Sequence, residues 1–247
     1  MKKLYMVSLG PGAPELITIQ AALALLDSEI IYVPSSSSDG SFTQSRAYTI
    51  LQGFNRLAQK TMTKSFESNL TEFKAVYSPR KYKKEDWIRQ TQQILEGLKE
   101  KDTVAFVTLG DAAIYSTVYF LLDILKEKGM EDLVQVLPGI TSFSQASARI
   151  QKPLCLGDSR LEIIPLHPSQ DEKHSKVYMR PKVGESLSDL EEEGEIVSFE
   201  NLNFENENFY NGCPEKVKGY MTLVIDFAKL SVNAHNRDNR LLTAKRT

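Results

Sequence analysis

The chain predicts an α/β fold, with a parallel-sheet N-terminal domain followed by a smaller, mixed C-terminal domain. Three observations predict it. In the first half, short apolar runs alternate with helical periodicity, the pattern of parallel β/α units. The first run turns through Gly10-Pro11-Gly12 directly into a helical pattern. Beyond residue 138 the long helical patterns thin out, and short strand-like runs and dense acid replace them. The expected division is therefore 1–138 and 139–247.

Taken in order, residues 4–9, 30–33, 103–109 and 134–137 read as strands, apolar on both faces as buried parallel strands are. The spacing of Leu16, Ile19, Leu23 and Leu26 predicts an amphipathic helix after the first strand. Ile88, Thr91, Leu95 and Leu98 mark one face of a helix that ends near Lys99-Glu100-Lys101. Residues 119–128 predict another, stopped by Gly129. Residues 34–41, PSSSSDGS, form a polar loop after the second strand, at the sheet end where open α/β proteins place ligands. In the second half, 161–165, 176–179, 194–199 and 220–227 read as strands, and the acidic runs SDLEEEGE and NFENENFYNG as solvated faces and turns. The tail from Ser231 has little apolar periodicity and is expected to be loosely docked.

A strand, glycine loop and helix invite a phosphate-binding reading, and the residues argue against it. A dinucleotide loop wants glycine at its sixth position, where this chain has Glu15. Pro11 and Pro14 supply no N–H donors. Such a loop suits a neutral or cationic ligand, or is simply a tight turn whose Glu15 favours the helix dipole.

Lys and Arg total 30 against 32 Asp and Glu, a net charge of -2, so no global basic field points to nucleic acid or an anionic membrane. Cys155 and Cys213 are far apart, and His167, His174 and His235 form no metal-binding spacing, so no metal site is expected. No apolar run is long enough to span a bilayer and no signal-peptide pattern is present, which predicts a reducing, cytoplasmic setting.

Three more segments stand at predicted strand ends: FVTLGDAAIYST (106–117), VLPGITSFSQASARI (136–150) and KVYMRPKVG (176–184). Small residues at a helix start let a flat ligand approach the backbone, and Ser142, Ala146 and Arg149 fall on one helical face.

Together with the GPG loop, these segments resemble the tetrapyrrole (corrin and porphyrin) methyltransferase family, whose order is GxGPG, then GD followed by IYST, then PGITS. The resemblance covers nearly the whole chain. It implies a two-domain fold with an active-site cleft between the domains, S-adenosylmethionine as co-substrate and a homodimer. A sulfonium cofactor also accounts for a loop poor in anion donors. The stretch PGITSFSQASARIQKPLCLGDSRLEIIP and the run SRAYTI after the second strand look most like members that methylate carbon 20 of precorrin-2 or its cobalt complex, in cobalamin biosynthesis. One departure is visible: the family's GDP reads Gly110-Asp111-Ala112 here. Alanine leaves that turn less pre-organised, so Ala112→Pro is expected to leave the reaction intact and tighten the cofactor.

By resemblance, Pro11, Leu109, Gly110, Asp111, Ile114, Thr141, Ser142 and Met179 line the S-adenosylmethionine site. Asp111 either reaches the methionine moiety or caps the following helix. A tetrapyrrole carries several carboxylates, which calls for guanidinium partners around an apolar slot. Arg46, Arg149, Arg160 and Arg180 are the candidates, with Tyr115 and Tyr220 as cleft aromatics. No general base is identifiable. The alternatives are a sister enzyme acting on another precorrin position or on uroporphyrinogen III, a relative acting on RNA or protein, and a non-catalytic tetrapyrrole-binding protein.

Overall fold

The computed structural model describes residues 2–62, 65–67, 71–79, 83–157, 159–164, 175–179, 181–187, 195–219 and 222–227. The chain divides into two compact units, 1–162 and 163–247.

The first unit alternates strands and helices. In order they are β1 (Lys3–Ser8), α1 (Ile19–Asp27), β2 (Ile30–Ser35), α2 (Arg46–Thr61), β3 (Glu72–Tyr77), α3 (Lys84–Glu100), β4 (Thr103–Thr108), α4 (Val118–Glu127), β5 (Val134–Leu137) and α5 (Ser142–Ile150). The five strands make one parallel sheet in the order β3-β2-β4-β1-β5. Sequence reading missed α2 and β3. β3 carries Glu72 and Lys74 and lies at the sheet edge, so it lacks the continuous apolar run of its neighbours.

Strand residues alternate between two packed faces. Tyr5, Val7, Leu9, Ile31, Val33, Ala105 and Val107 form a core with α1 and α2. α3 and α4 pair with each other, and Trp87 stacks on Phe120 at 4.1 Å between ring centroids. Leu4, Met6 and Ser8, by the pleat, face away from α1 and α2, and all three are buried.

α1 buries a different stripe from the one its leucine and isoleucine spacing predicts. Ala21, Ala22, Leu25 and Leu26 pack inward, while Ile19 is 79% exposed and Leu23 62% exposed. Alanines let the helix lie close to the sheet, and Thr18, whose side chain accepts from the Ala21 N–H at 3.2 Å, sets the phase at its N-terminus. α3 buries Trp87, Thr91, Ile94 and Leu98, with Gly97 lying against the Tyr32 ring. α4 ends as expected at Gly129, whose φ is +64°.

The second unit holds β6 (Lys176–Met179), β7 (Glu195–Glu200), β8 (Asn208–Asn211) and β9 (Thr222–Phe227). They form an antiparallel sheet in the order β6-β9-β7-β8, not a mixed one among the described residues. Leu187, Ile196, Val217 and Val224 make its core, with Tyr178 and Cys213 packed against them. Glu200, which lies between the two acidic runs, is buried, accepting from the Tyr210 hydroxyl at 2.9 Å and the Lys218 N–H at 2.8 Å. SDLEEEGE (188–195) lies outside the described residues except for Glu195, as do the tail from 228 and all three histidines.

One sequence expectation needs correcting: residues 161–164 form no strand, and Leu161 and Ile164 are exposed. The compact units part after Glu162, so α5, which follows β5 through four residues with Gly139 set close against Gly110 and Ser8, belongs to the first unit.

Candidate active site

Neighbouring strands β1 and β4 send their chains apart: the chain from β1 enters α1 on one face of the sheet, whereas the chain from β4 enters α4, the partner of α3. Open α/β sheets bind ligands where successive connections diverge in this way. The carboxyl ends of β4, β1 and β5 converge there through three glycines.

Gly10 and Gly110 exchange reciprocal backbone hydrogen bonds, N–H to O at 3.1 and 2.8 Å, extending the β1–β4 contact beyond the ladder. Both have left-handed φ, +72° and +69°, open to glycine at little cost. Gly139, after β5, comes closest. A Cβ built on it would stand 2.6 Å from the Gly110 carbonyl oxygen and 2.6 Å from the Ser8 Cβ, so only glycine fits. Above Gly12 and Gly110 the space is open, with nothing within 4 Å of where a Cβ would be. The loops thus offer bare backbone to a ligand. Leu109 adds an apolar side chain that is 47% exposed.

The turn after Gly110 is held by side chains. The Asp111 carboxylate accepts from the Ala113 N–H at 3.0 Å within the turn, and the N-cap of α4 is Thr117, so Asp111 closes a turn and does not cap that helix. The fully buried Ser8 hydroxyl accepts from the Ala112 N–H at 2.9 Å, across 104 residues of sequence. That bond reverses the expectation for Ala112→Pro: the N–H that proline lacks is buried and in use here. Thr108 and Ser116 hydroxyls pair at 3.1 Å across the loop. Between them Tyr115 takes a left-handed φ of +51°, an uncommon conformation for an aromatic residue, and is 69% exposed. Tyr119, one helical turn on, is 46% exposed, and burial together with the nearby Asp111 carboxylate raises its phenol above the usual range.

Of the expected cofactor residues, the structure brings Pro11, Leu109, Gly110, Asp111, Thr141 and Ser142 to these converging strand ends, with Ile114 one turn along. Thr141 is the N-cap of α5, its hydroxyl accepting from the Ser144 N–H at 3.3 Å, and Ser142 is the first helical residue. Met179 belongs to the second unit, at the end of β6 and 70% exposed. Of the substrate candidates, Arg46 opens α2, Arg149 lies in the last turn of α5 on the exposed face shared with Ser142 and Ala146, and Arg160 is exposed. Arg180 and Tyr220 lie outside the described residues. Sequence reasoning missed Ser8, the steric role of Gly139, and Tyr119. A polar residue closing a strand otherwise apolar on both faces was the available signal for Ser8.

Among the described residues, no three His, Cys, Asp or Glu side chains are grouped to hold a metal, and no helix is long and apolar enough to cross a membrane. The backbone cradle fits S-adenosylmethionine in its chemistry: room over glycine for an adenosyl group, an apolar side chain, and the Asp111 carboxylate beside it.

A family model for tetrapyrrole (corrin/porphyrin) methylases matches residues 3–212. The chain is 32% identical to a cobalt-precorrin-2 C(20)-methyltransferase of Salmonella typhimurium, over 66% of this chain and 62% of that one. It is 32% identical to a probable cobalt-precorrin-2 C(20)-methyltransferase of Methanocaldococcus jannaschii, over 76% of each. The match therefore spans less than two thirds of the Salmonella relative's length. Among solved structures, a cobalt precorrin-4 methyltransferase aligns with a TM-score of 0.46 and 17% identity, covering 91% of this chain and 94% of that one.

Proposed function

The chain belongs to the tetrapyrrole (corrin/porphyrin) methylase family, and from that premise we propose that it transfers a methyl group from S-adenosylmethionine to carbon 20 of precorrin-2 or its cobalt complex, in cobalamin biosynthesis. The observation that carries this reading is the open glycine-lined cradle at the divergence of β1 and β4, which is rich in bare backbone and has an acid beside it. Both 32%-identical relatives bear a cobalt-precorrin-2 C(20) name, which favours carbon 20 over other positions.

S-adenosylmethionine, when bound, supplies an electrophilic methyl group on a sulfonium. The chain's own part is to bind, orient and desolvate. Backbone at Gly10–Gly12 and Leu109–Asp111 holds the adenosyl and methionine moieties, Leu109 excludes water, and Asp111 lowers the energy of nearby positive charge. Arg149, seven residues beyond Ser142 and so about 10 Å along α5, is placed to pair with a substrate carboxylate at the rim. Positioning supplies most of the rate, because the reacting meso carbon is itself electron-rich.

The test is to mix the protein with S-adenosylmethionine and either metal-free or cobalt-loaded precorrin-2, and to follow product mass and absorbance. A trimethylated product with the new methyl at carbon 20 supports the reading. Methylation elsewhere on the macrocycle moves the chain to a sister reaction. Binding of the tetrapyrrole without turnover makes it a carrier.

A further inference from the structure

The Ser8 side chain touches all three loops of the cradle. It ends β1, its hydroxyl accepts the Ala112 N–H of the turn after β4, and its Cβ stands where a side chain at Gly139 after β5 would have to go. Ser8 is wholly buried and Ala112 is 1% exposed, so water does not replace this bond at no cost. Ala112 stands where the family's GDP has proline, and the N–H that proline lacks is the donor to Ser8.

We propose that Ser8 is a positioning residue for the methyl donor: by holding the Ala112 N–H it sets the height of the Leu109–Asp111 backbone over Gly10–Gly12, and Ser8 and Ala112 act as one coupled unit. The inference rests on the methyltransferase reading above. A proline at 112 needs no acceptor and places its ring carbon against the Ser8 oxygen. A serine at 8 supplies an acceptor that a proline at 112 leaves without a donor. Ser8 therefore suits a residue with a free N–H at 112 and not a proline, and changing both together removes donor and acceptor at once, the case in which a lost hydrogen bond costs least.

The experiment is a double-mutant cycle on the full chain with Ser8→Ala, Ala112→Pro and both, reading S-adenosylhomocysteine affinity by calorimetry, Michaelis constants for both substrates, and amide exchange at residue 112 in the ligand-free protein. Ser8→Ala is expected to weaken S-adenosylhomocysteine by about 5- to 150-fold, the range for a buried donor left unpaired, while the tetrapyrrole Michaelis constant stays the same. Exchange at Ala112 should accelerate. Ala112→Pro should weaken the cofactor as well, and the double variant should bind more tightly than either single one. Additive losses, or equal losses for cofactor and tetrapyrrole, overturn the proposal by making Ser8 a general stability residue. If Ser8→Ala does not fold, the double variant decides: recovery of folding and binding supports the coupling, and failure to recover overturns it. Wild-type protein that binds S-adenosylhomocysteine while Ser8→Ala binds it equally well refutes only the role of Ser8. Wild-type protein that does not bind it refutes the methyltransferase reading and this proposal together.

Discussion

Gly139→Ala adds one methyl group at the tightest point of the cradle, and the structure lets its cost be worked out. The new Cβ would meet a backbone oxygen and a Cβ, each at 2.6 Å, well inside the spacing real Cβ atoms tolerate. Neither neighbour is the free end of a flexible side chain, so a loop must move by several tenths of an ångström. The oxygen belongs to Gly110, and that carbonyl accepts the Gly10 N–H at 3.1 Å. Overpacking of this kind costs about 1–3 kcal/mol, and a strained or lost Gly10–Gly110 bond adds about 1 kcal/mol, so a loss of roughly 2–4 kcal/mol is expected. For a chain of this size that lowers Tm by roughly 4–16 °C. Cofactor affinity should fall with it, because the displaced atoms form the cradle. Gly129→Ala is the control: its φ is +64°, its Cβ meets nothing and it follows the C-terminal end of α4, so it costs about 1–2 kcal/mol and leaves the site alone. Thermal unfolding and S-adenosylhomocysteine calorimetry on both variants provide the measurement. A Gly139→Ala protein with wild-type Tm and affinity would refute the close approach of the three strand ends.

Arg149→Ala should raise the tetrapyrrole Michaelis constant by roughly ten- to a hundredfold, the worth of one charge-assisted bond, with S-adenosylhomocysteine affinity unchanged; normal tetrapyrrole kinetics would redirect the search to Arg46 and Arg160. Asp111→Ala should weaken S-adenosylhomocysteine by at least roughly tenfold, and an unchanged affinity in calorimetry would leave Asp111 as a turn former only. Tyr32 provides a pH test away from the site. Burial, reinforced by the Glu100 carboxylate, pushes its phenol from 10.0 up to about 12. Between those values the unfolded chain loses the proton first and binds fewer protons than the native state, so Tyr32 lowers stability as pH rises from 10 to 12. Urea midpoints should show that fall in the wild type and a flatter profile in Tyr32→Phe; parallel profiles would contradict it. The Tyr32→Phe variant also loses the hydroxyl's 2.6 Å bond to the Gln93 carbonyl, worth about 1 kcal/mol at neutral pH.

What the sequence determined by itself is what depends on local pattern. Four of the five parallel strands were legible because a strand buried on both faces reads as a continuous apolar run, and the loops at Gly10–Gly12, Gly110–Asp111 and Pro138–Gly139 were legible because glycine and proline mark turns whatever surrounds them. The motif order carried the family, and with it most of the cofactor candidates. What only the tertiary structure decided depends on which neighbours each segment meets. β3 is a strand because an edge position tolerates its charged residues, and the buried stripe of α1 is alanine-rich because that helix lies close to its sheet, which exposes Ile19 and Leu23. Residues 161–164 look like a strand and have no ladder, since a strand exists only if another pairs with it. The meaning of Ala112 was decided the same way. Read along the chain it is a proline lost from a turn, whereas in three dimensions its N–H meets a hydroxyl 104 residues away. A hydrogen bond between distant segments leaves no periodicity in either of them, so only the fold can disclose it.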